Sequence, residues 1–131
     1  MILADTSVWI EYFRDSGTDG ALQVYRAINS GDFAVGDLIL AEVLQGFATE
    51  KQANAAQLAM GRFEIVTLGG GAIAIEAARA YRLLRGKGVT VRGTVDLFIG
   101  TWCVMNDVPL IHSDKDFTGM ERWIGLKRWI G

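Results

Sequence analysis

Apolar residues in this chain fall into short runs and longer helical stripes, separated by glycines and small polar residues. Met1–Ala4 has the length of a buried strand, and Asp5, Thr6 and Ser7 behind it are N-cap residue types for a short helix from Val8 to about Arg14. From Gly20 to about Ile28, Ala21, Leu22 and Tyr25 are spaced for one helical face. Phe33–Val35 reads as a strand. Asp37 then caps an apolar helix, LILAEVLQGFA, and a further helix runs from about Lys51 to Arg62. Ile65–Leu68 reads as another strand, Gly69–Gly71 as a turn, and about Ala72 to Arg85 as a long helix that stops at Gly86-Lys87-Gly88. Thr94 is placed to cap a helix from Val95 to about Asn106. Val108–His112 is a strand with Pro109 near its start, where a missing N–H is tolerated. SDKDF reads as a loop, and the tryptophan-rich end, GMERWIGLKRWIG, has no clear pattern.

Short apolar strands alternating with helices predict parallel βαβ units. The expected fold class is therefore α/β: a three-layer α/β/α sandwich around a central parallel sheet. Ligands of such sheets sit outside the carboxyl ends of the strands.

Composition narrows this picture. With 131 residues and no repeat, linker or low-complexity stretch, the chain reads as one domain. A chain of that length buries roughly 65–70% of its unfolded surface, enough for a core without covalent staples. Half of the residues are apolar, 21% are charged and the net charge is −2, which excludes a disordered tail, a collagen-like fibre and a strongly basic nucleic-acid binder. The one cysteine, Cys103, excludes an internal disulfide framework and a cysteine-based zinc site. No stretch approaches the ~20 apolar residues of a membrane span. The start, MILADTSVWIEYF, lacks the basic and apolar regions of a secretory leader, so a cytoplasmic setting is expected.

Carboxylates with apolar neighbours are the candidate chemistry. Asp5 directly follows the strand MILA. Glu42 interrupts LILAEVL, Asp96 opens VDLFIGTWCVM, and Asp114 and Asp116 follow the strand PLIH. A buried carboxylate is costly without a cation or a donor, and carboxylate oxygens with water are what magnesium or manganese selects. Each residue also has an ordinary structural reading, Asp5 as a helix cap and Asp96 as a dipole-favoured first-turn residue. Together, they fit one acidic rim at the strand ends.

The order of these motifs resembles that of the PIN-domain ribonucleases over nearly the whole chain. The carrying pieces are Asp5 in ADTSVWIEYFR, Glu42 in its apolar helix, Asp96 in GTVDLFIG, and then SDKDF. More narrowly, the chain is similar to the VapC-type toxins of bacterial type II toxin–antitoxin pairs. The resemblance implies a single PIN domain over residues 1–131 and an endoribonuclease acting on RNA. It implies that Asp5, Glu42, Asp96 and Asp114 form the catalytic set and hold one or two Mg2+ ions (Mn2+ being the other candidate), with Asp116 as an alternative or additional ligand. Thr6 or Ser7, Thr94 and Ser113 match hydroxyl positions around such a site. A homodimer and a cognate VapB-type antitoxin are implied as well. The tail GMERWIGLKRWIG departs from the family pattern.

Basic residues form a second constellation. Arg79, Arg82, Arg85, Lys87 and Arg92 precede Asp96, and a spacing of three places the first three on one broad helix face. They form either a phosphate-gripping strip for RNA or a solvated outer face. His112 is the only histidine, so no histidine pair can do acid–base work, and it reads as structural. Cys103, Trp9, Phe13, Phe47 and Phe98 read as core or interface. Two other classes compete with the nuclease. A haloacid-dehalogenase-type phosphatase needs a second Asp two residues after the first, where this chain has Ser7. A non-catalytic PIN-like module would bind RNA or a partner without cutting.

Overall fold

Along the chain, β1 (Leu3–Ala4) leads into α1 (Thr6–Phe13) and α2 (Asp19–Ser30). After β2 (Ala34–Gly36) come α3 (Asp37–Gln45) and α4 (Glu50–Met60), and after β3 (Glu64–Val66) come α5 (Gly71–Gly86) and α6 (Thr94–Asn106). β4 (Leu110–Ile111) runs into α7 (Lys115–Trp123). These elements come from a computed structural model that describes every residue from Met1 to Gly131.

The strands pair in parallel, β1 with β4 (Leu3 opposite Leu110) and β2 with β3 (Val35 opposite Ile65). A parallel bridge between Ile2 and Phe33 joins the two pairs; the Ile2 N–H donates to the Asp32 carbonyl at 2.8 Å and the Ala34 N–H to the Ile2 carbonyl at 3.0 Å. Beyond β4, the Leu110 N–H donates to the Lys127 carbonyl at 2.9 Å and the Trp129 N–H to the Leu110 carbonyl at 3.0 Å, so Arg128 bridges Leu110 as an added edge. The order across the sheet is β3-β2-β1-β4-tail, and it reverses direction between β1 and β4. Consecutive residues Leu3 and Ala4, Ala34 and Val35, and Leu110 and Ile111 are all buried, so both sheet faces are covered, as the α/β/α expectation requires.

The core follows the sequence reading in its main lines. Trp9 is buried and stacks with Phe33 at 5.3 Å and Phe13 at 5.6 Å between ring centroids, and Cys103 is buried among apolar neighbours. Gly70, at φ +112°, makes the turn into α5. No helix is long and apolar enough to cross a membrane.

Three local expectations need correction. SDKDF is not a loop: Asp114 accepts the Asp116 N–H at 2.9 Å as N-cap of α7, which takes in most of the motif. A polar N-cap followed by charged first-turn residues looks like a loop in sequence because the first turn of a helix is polar for its own reasons. Thr94 is not the cap of α6; Gly93 stands there, without a capping side chain, and Thr94 is the first helical residue. Asp37 likewise lies inside α3 rather than before it.

Asp37 has a different task. One of its oxygens, Oδ1, accepts the Leu38 N–H at 2.8 Å and the Leu68 N–H at 2.9 Å, tying the start of α3 to the chain leaving β3. Asp37→Ala leaves both amides short of a partner and should cost about 1–3 kcal/mol in a urea denaturation curve. Wild-type stability in that variant would show that water replaces the carboxylate freely.

Candidate active site

Asp5 sits at the carboxyl end of β1 because the ladder holds it there: its own N–H donates to the Ile111 carbonyl at 3.0 Å. Only 4% of the residue is exposed. It is the N-cap of α1, its Oδ1 accepting the Ser7 N–H at 2.5 Å and the Ser7 hydroxyl at 3.1 Å. Glu42, half-buried on α3, accepts the Thr6 hydroxyl at 2.6 Å. Two adjacent residues of α1 therefore orient two carboxylates from different elements. Asp96 lies in the first turn of α6, and Asp114 and Asp116 at the start of α7.

Electrostatics join these groups. Burial raises the Asp5 carboxyl from its ordinary 3.8 to about 7; the Ser7 hydrogen bonds pull it down, while the charges of Asp96 and Asp114 push it further up. Asp96 is raised to about 6, by burial first and then by Asp114, Glu42 and Asp116. Asp96 thus feels all the other predicted carboxylates or shares its field with them. A cleft of about 380 Å³ is lined by Thr90, Arg92, Asp96, Asp114, Lys115 and Asp116, with no apolar side chain. Asp5 and Glu42 lie outside that lining and reach it through the field at Asp96.

None of the molecule's ion pairs involves Asp5, Glu42, Asp96, Asp114 or Asp116. Nor do any three acidic, histidine or cysteine side chains converge into a ready-made cage. Hard oxygen donors, a buried acid paired only to Ser7 and carboxylates outside any ion pair fit a divalent cation.

The other predicted residues separate. Thr6 and Ser7 contact carboxylates; Thr94 and Ser113 are exposed, Thr94 beside Arg82 and Phe98. The arginine face splays. Arg82 lines a hollow with Tyr81 and Phe98, whereas Arg79 pairs with Glu76 and lines another hollow with Thr101 and Ile124. Arg85 leans over Tyr81 at 5.7 Å from the ring centroid. Of the basic set, Arg92 alone lines the acidic cleft, and its N–H donates to Asp116 Oδ2 at 3.2 Å. Sequence reasoning missed Thr90 and Lys115. Lys115 had a visible signal, being the one cation inside SDKDF.

A model described as PIN domain matches residues 2–122. The chain belongs to the PIN-domain family. Two curated relatives, a VapC ribonuclease of Mycobacterium bovis and Ribonuclease VapC11 of Mycobacterium tuberculosis, are each 29% identical over 129 residues, covering 97% of this chain and 96% of theirs. Among solved structures, a chain of the VapBC2 complex of Rickettsia felis bound to a promoter DNA fragment superposes with a TM-score of 0.76 at 18% identity. The match covers 99% of this chain and 100% of that chain. A chain of the DNA-bound VapBC of Salmonella typhimurium gives 0.73 at 18% identity, over 98% of each chain. At that identity the likeness concerns the fold.

The raised acids make this PIN domain's stability depend on pH. The folded chain keeps protons on Asp5 and Asp96 at pH values where the unfolded chain has lost them. Their contribution is therefore full below about pH 4 and is lost as pH rises through the folded values of about 6 and 7. For buried Asp5, a rise from 3.8 to about 7 amounts to roughly 4 kcal/mol. Metal-free wild-type protein should thus lose stability in urea between about pH 4 and pH 8, and Asp5→Asn should lose markedly less and exceed wild type at the upper end. Identical pH profiles for the two would show that Asp5 ionises normally.

Proposed function

We propose that this PIN domain is a metal-dependent endoribonuclease that hydrolyses RNA phosphodiester bonds and acts as the toxin of a VapBC-type pair in the cytoplasm. The observation that carries the reading is the set of unneutralised carboxylates from β1, α3, α6 and α7, coupled through Asp96 beside a cleft with basic residues on its lining. The ribonuclease names of the curated relatives, which align end to end, support the activity, and the VapBC complexes support a VapB-type partner. One domain over residues 1–131 and a homodimer complete the proposal.

Asp5, Glu42, Asp96 and Asp114 would hold Mg2+, with Mn2+ as the other candidate and Asp116 beside them. Such a cation supplies Lewis-acid stabilisation of a phosphate and lowers the pKa of water. The chain's own residues do the positioning. Ser7 fixes the Asp5 carboxylate and Thr6 that of Glu42, so neither must reorganise when charge arrives. Arg92 and Lys115 put positive charge on the rim, where phosphates flanking the scissile bond would lie. Arg82 and Arg85, on α5 and outside the cleft lining, would meet more distant phosphates; Arg79 is drawn off by Glu76. With one buried histidine, the acid–base route through the RNA 2′-hydroxyl has no pair to run it, so the expected product ends are a 5′-phosphate and a 3′-hydroxyl.

Cleavage of a labelled RNA should stop in chelator and return with Mg2+ or Mn2+, and Asp96→Asn should abolish it while the circular-dichroism spectrum stays that of wild type. Undiminished cleavage in chelator, or 2′,3′-cyclic phosphate ends, would refute the mechanism. A separate measurement addresses the rim. In Asp96→Asn background, Arg92→Ala and Lys115→Ala should each weaken RNA binding and lower the salt slope by about one. An unaltered slope would remove both from the RNA path.

A further inference from the structure

We infer that the C-terminal tail positions Asp114 through a side-chain relay, Arg128–Glu121–His112, that ends on the Asp114 backbone. The inference rests on the role proposed for Asp114 above. His112 directly follows β4, its side chain wholly enclosed and packed on Phe117 with ring centroids 5.1 Å apart. Its Nδ1 accepts the Asp114 N–H at 3.4 Å, so the hydrogen of the neutral ring stands on Nε2, which donates to Glu121 Oε2 at 3.0 Å. Glu121, late in α7, is gripped from outside by Arg128, Nε to Oε2 at 3.0 Å and Nη2 to Oε1 at 3.4 Å. Arg128 in turn is fixed by its neighbours, because Lys127 and Trp129 bond Leu110 on either side of it. The circuit closes: it leaves the sheet at Leu110, passes through tail and helix, and returns at His112, just beyond the same strand.

Stability alone is a poor reason for this arrangement. A buried imidazole packed on Phe117 would be replaced at little loss by a well-packed apolar residue, whereas a satisfied polar network defines one geometry. Here that geometry is the backbone of the residue that caps α7 and faces the acidic cleft. His112, Glu121 and Arg128 are positioning residues; none of them lines the cleft.

Two readouts on the full chain test the relay: amide hydrogen exchange at Asp114, and affinity for Mn2+ alone measured by calorimetry. Glu121→Ala should speed exchange at Asp114 and weaken Mn2+ binding about tenfold, the lower end of what loss of an outer partner costs a metal site. Glu121→Gln, which keeps an acceptor for His112, should restore most of both. Arg128→Ala, on an exposed tail residue, should act in the same direction and decides the matter if Glu121→Ala fails to fold. Wild-type exchange in these variants overturns the relay, and faster exchange with unchanged Mn2+ affinity overturns its positioning role. Unchanged Mn2+ affinity in Asp114→Asn instead overturns the metal role of Asp114, with the exchange data still deciding the relay.

Discussion

The parallel pairing of β1 with β4 is the constraint on which the acidic site depends. Parallel strands in register end on the same edge, so the residues that leave β1 and β4 must emerge together. Asp5 is the first of these, still held by the Ile111 carbonyl, and Asp114 follows a short turn beyond β4. The strand order reverses at this pair, which opens the crevice typical of doubly wound sheets. Glu42 and Asp96 then need only come from helices that pass the same edge.

Three helices carry candidate acids at their starts. Asp5 caps α1, Asp114 caps α7 with Asp116 in its first turn, and Asp96 lies in the first turn of α6. Each helix start offers about half a positive charge and free N–H groups, which makes local sense of every acid taken singly. It does not make sense of all of them together. Half-charges at three helix starts fall short of several carboxylates, and burial of Asp5 weakens the help of water. The carboxyls of Asp5 and Asp96 are raised accordingly, by burial first and by the neighbouring acids second. Features that would serve an ordinary helix cap one at a time become, in concert, a local concentration of negative charge.

The same edge shows how rigidity is distributed. Ser7 holds Asp5 through hydrogen bonds within one turn, and Thr6 holds Glu42 from a different helix. Asp114 is exposed and has no comparable side-chain donor from α1, so its placement is left to α7 and to whatever fixes the start of that helix. Basic side chains are kept near the rim without neutralising it. Arg92 offers its backbone N–H to Asp116, leaving the guanidinium free of any ion pair, while Arg79 and Arg128 are spent on Glu76 and Glu121.

Asp5, Glu42 and Asp96 were legible as candidates because burial leaves a mark on local pattern, an acid against an apolar strand or in an apolar helix; Asp114, which is exposed, was legible only by its place after the apolar strand PLIH. The α/β class was legible for a similar reason, since strand and helix periods are local properties, and most elements lie within a few residues of where the pattern put them. The helix hidden in SDKDF was not, because capping uses the same polar residues as a loop. Nor was the splay of Arg79 and Arg82, which depends on how α5 is rotated against α6. Sequence by itself determined which side chains are chemically unusual and which backbone periods they ride on. Tertiary structure alone decided that Ile2 bridges Phe33, that the tail joins β4, and that Lys115 and Arg92 share a cleft with Asp96. Those relations rest on contacts between segments distant in the chain, whose energies come from shared burial and backbone pairing, and no local window of residues contains both partners.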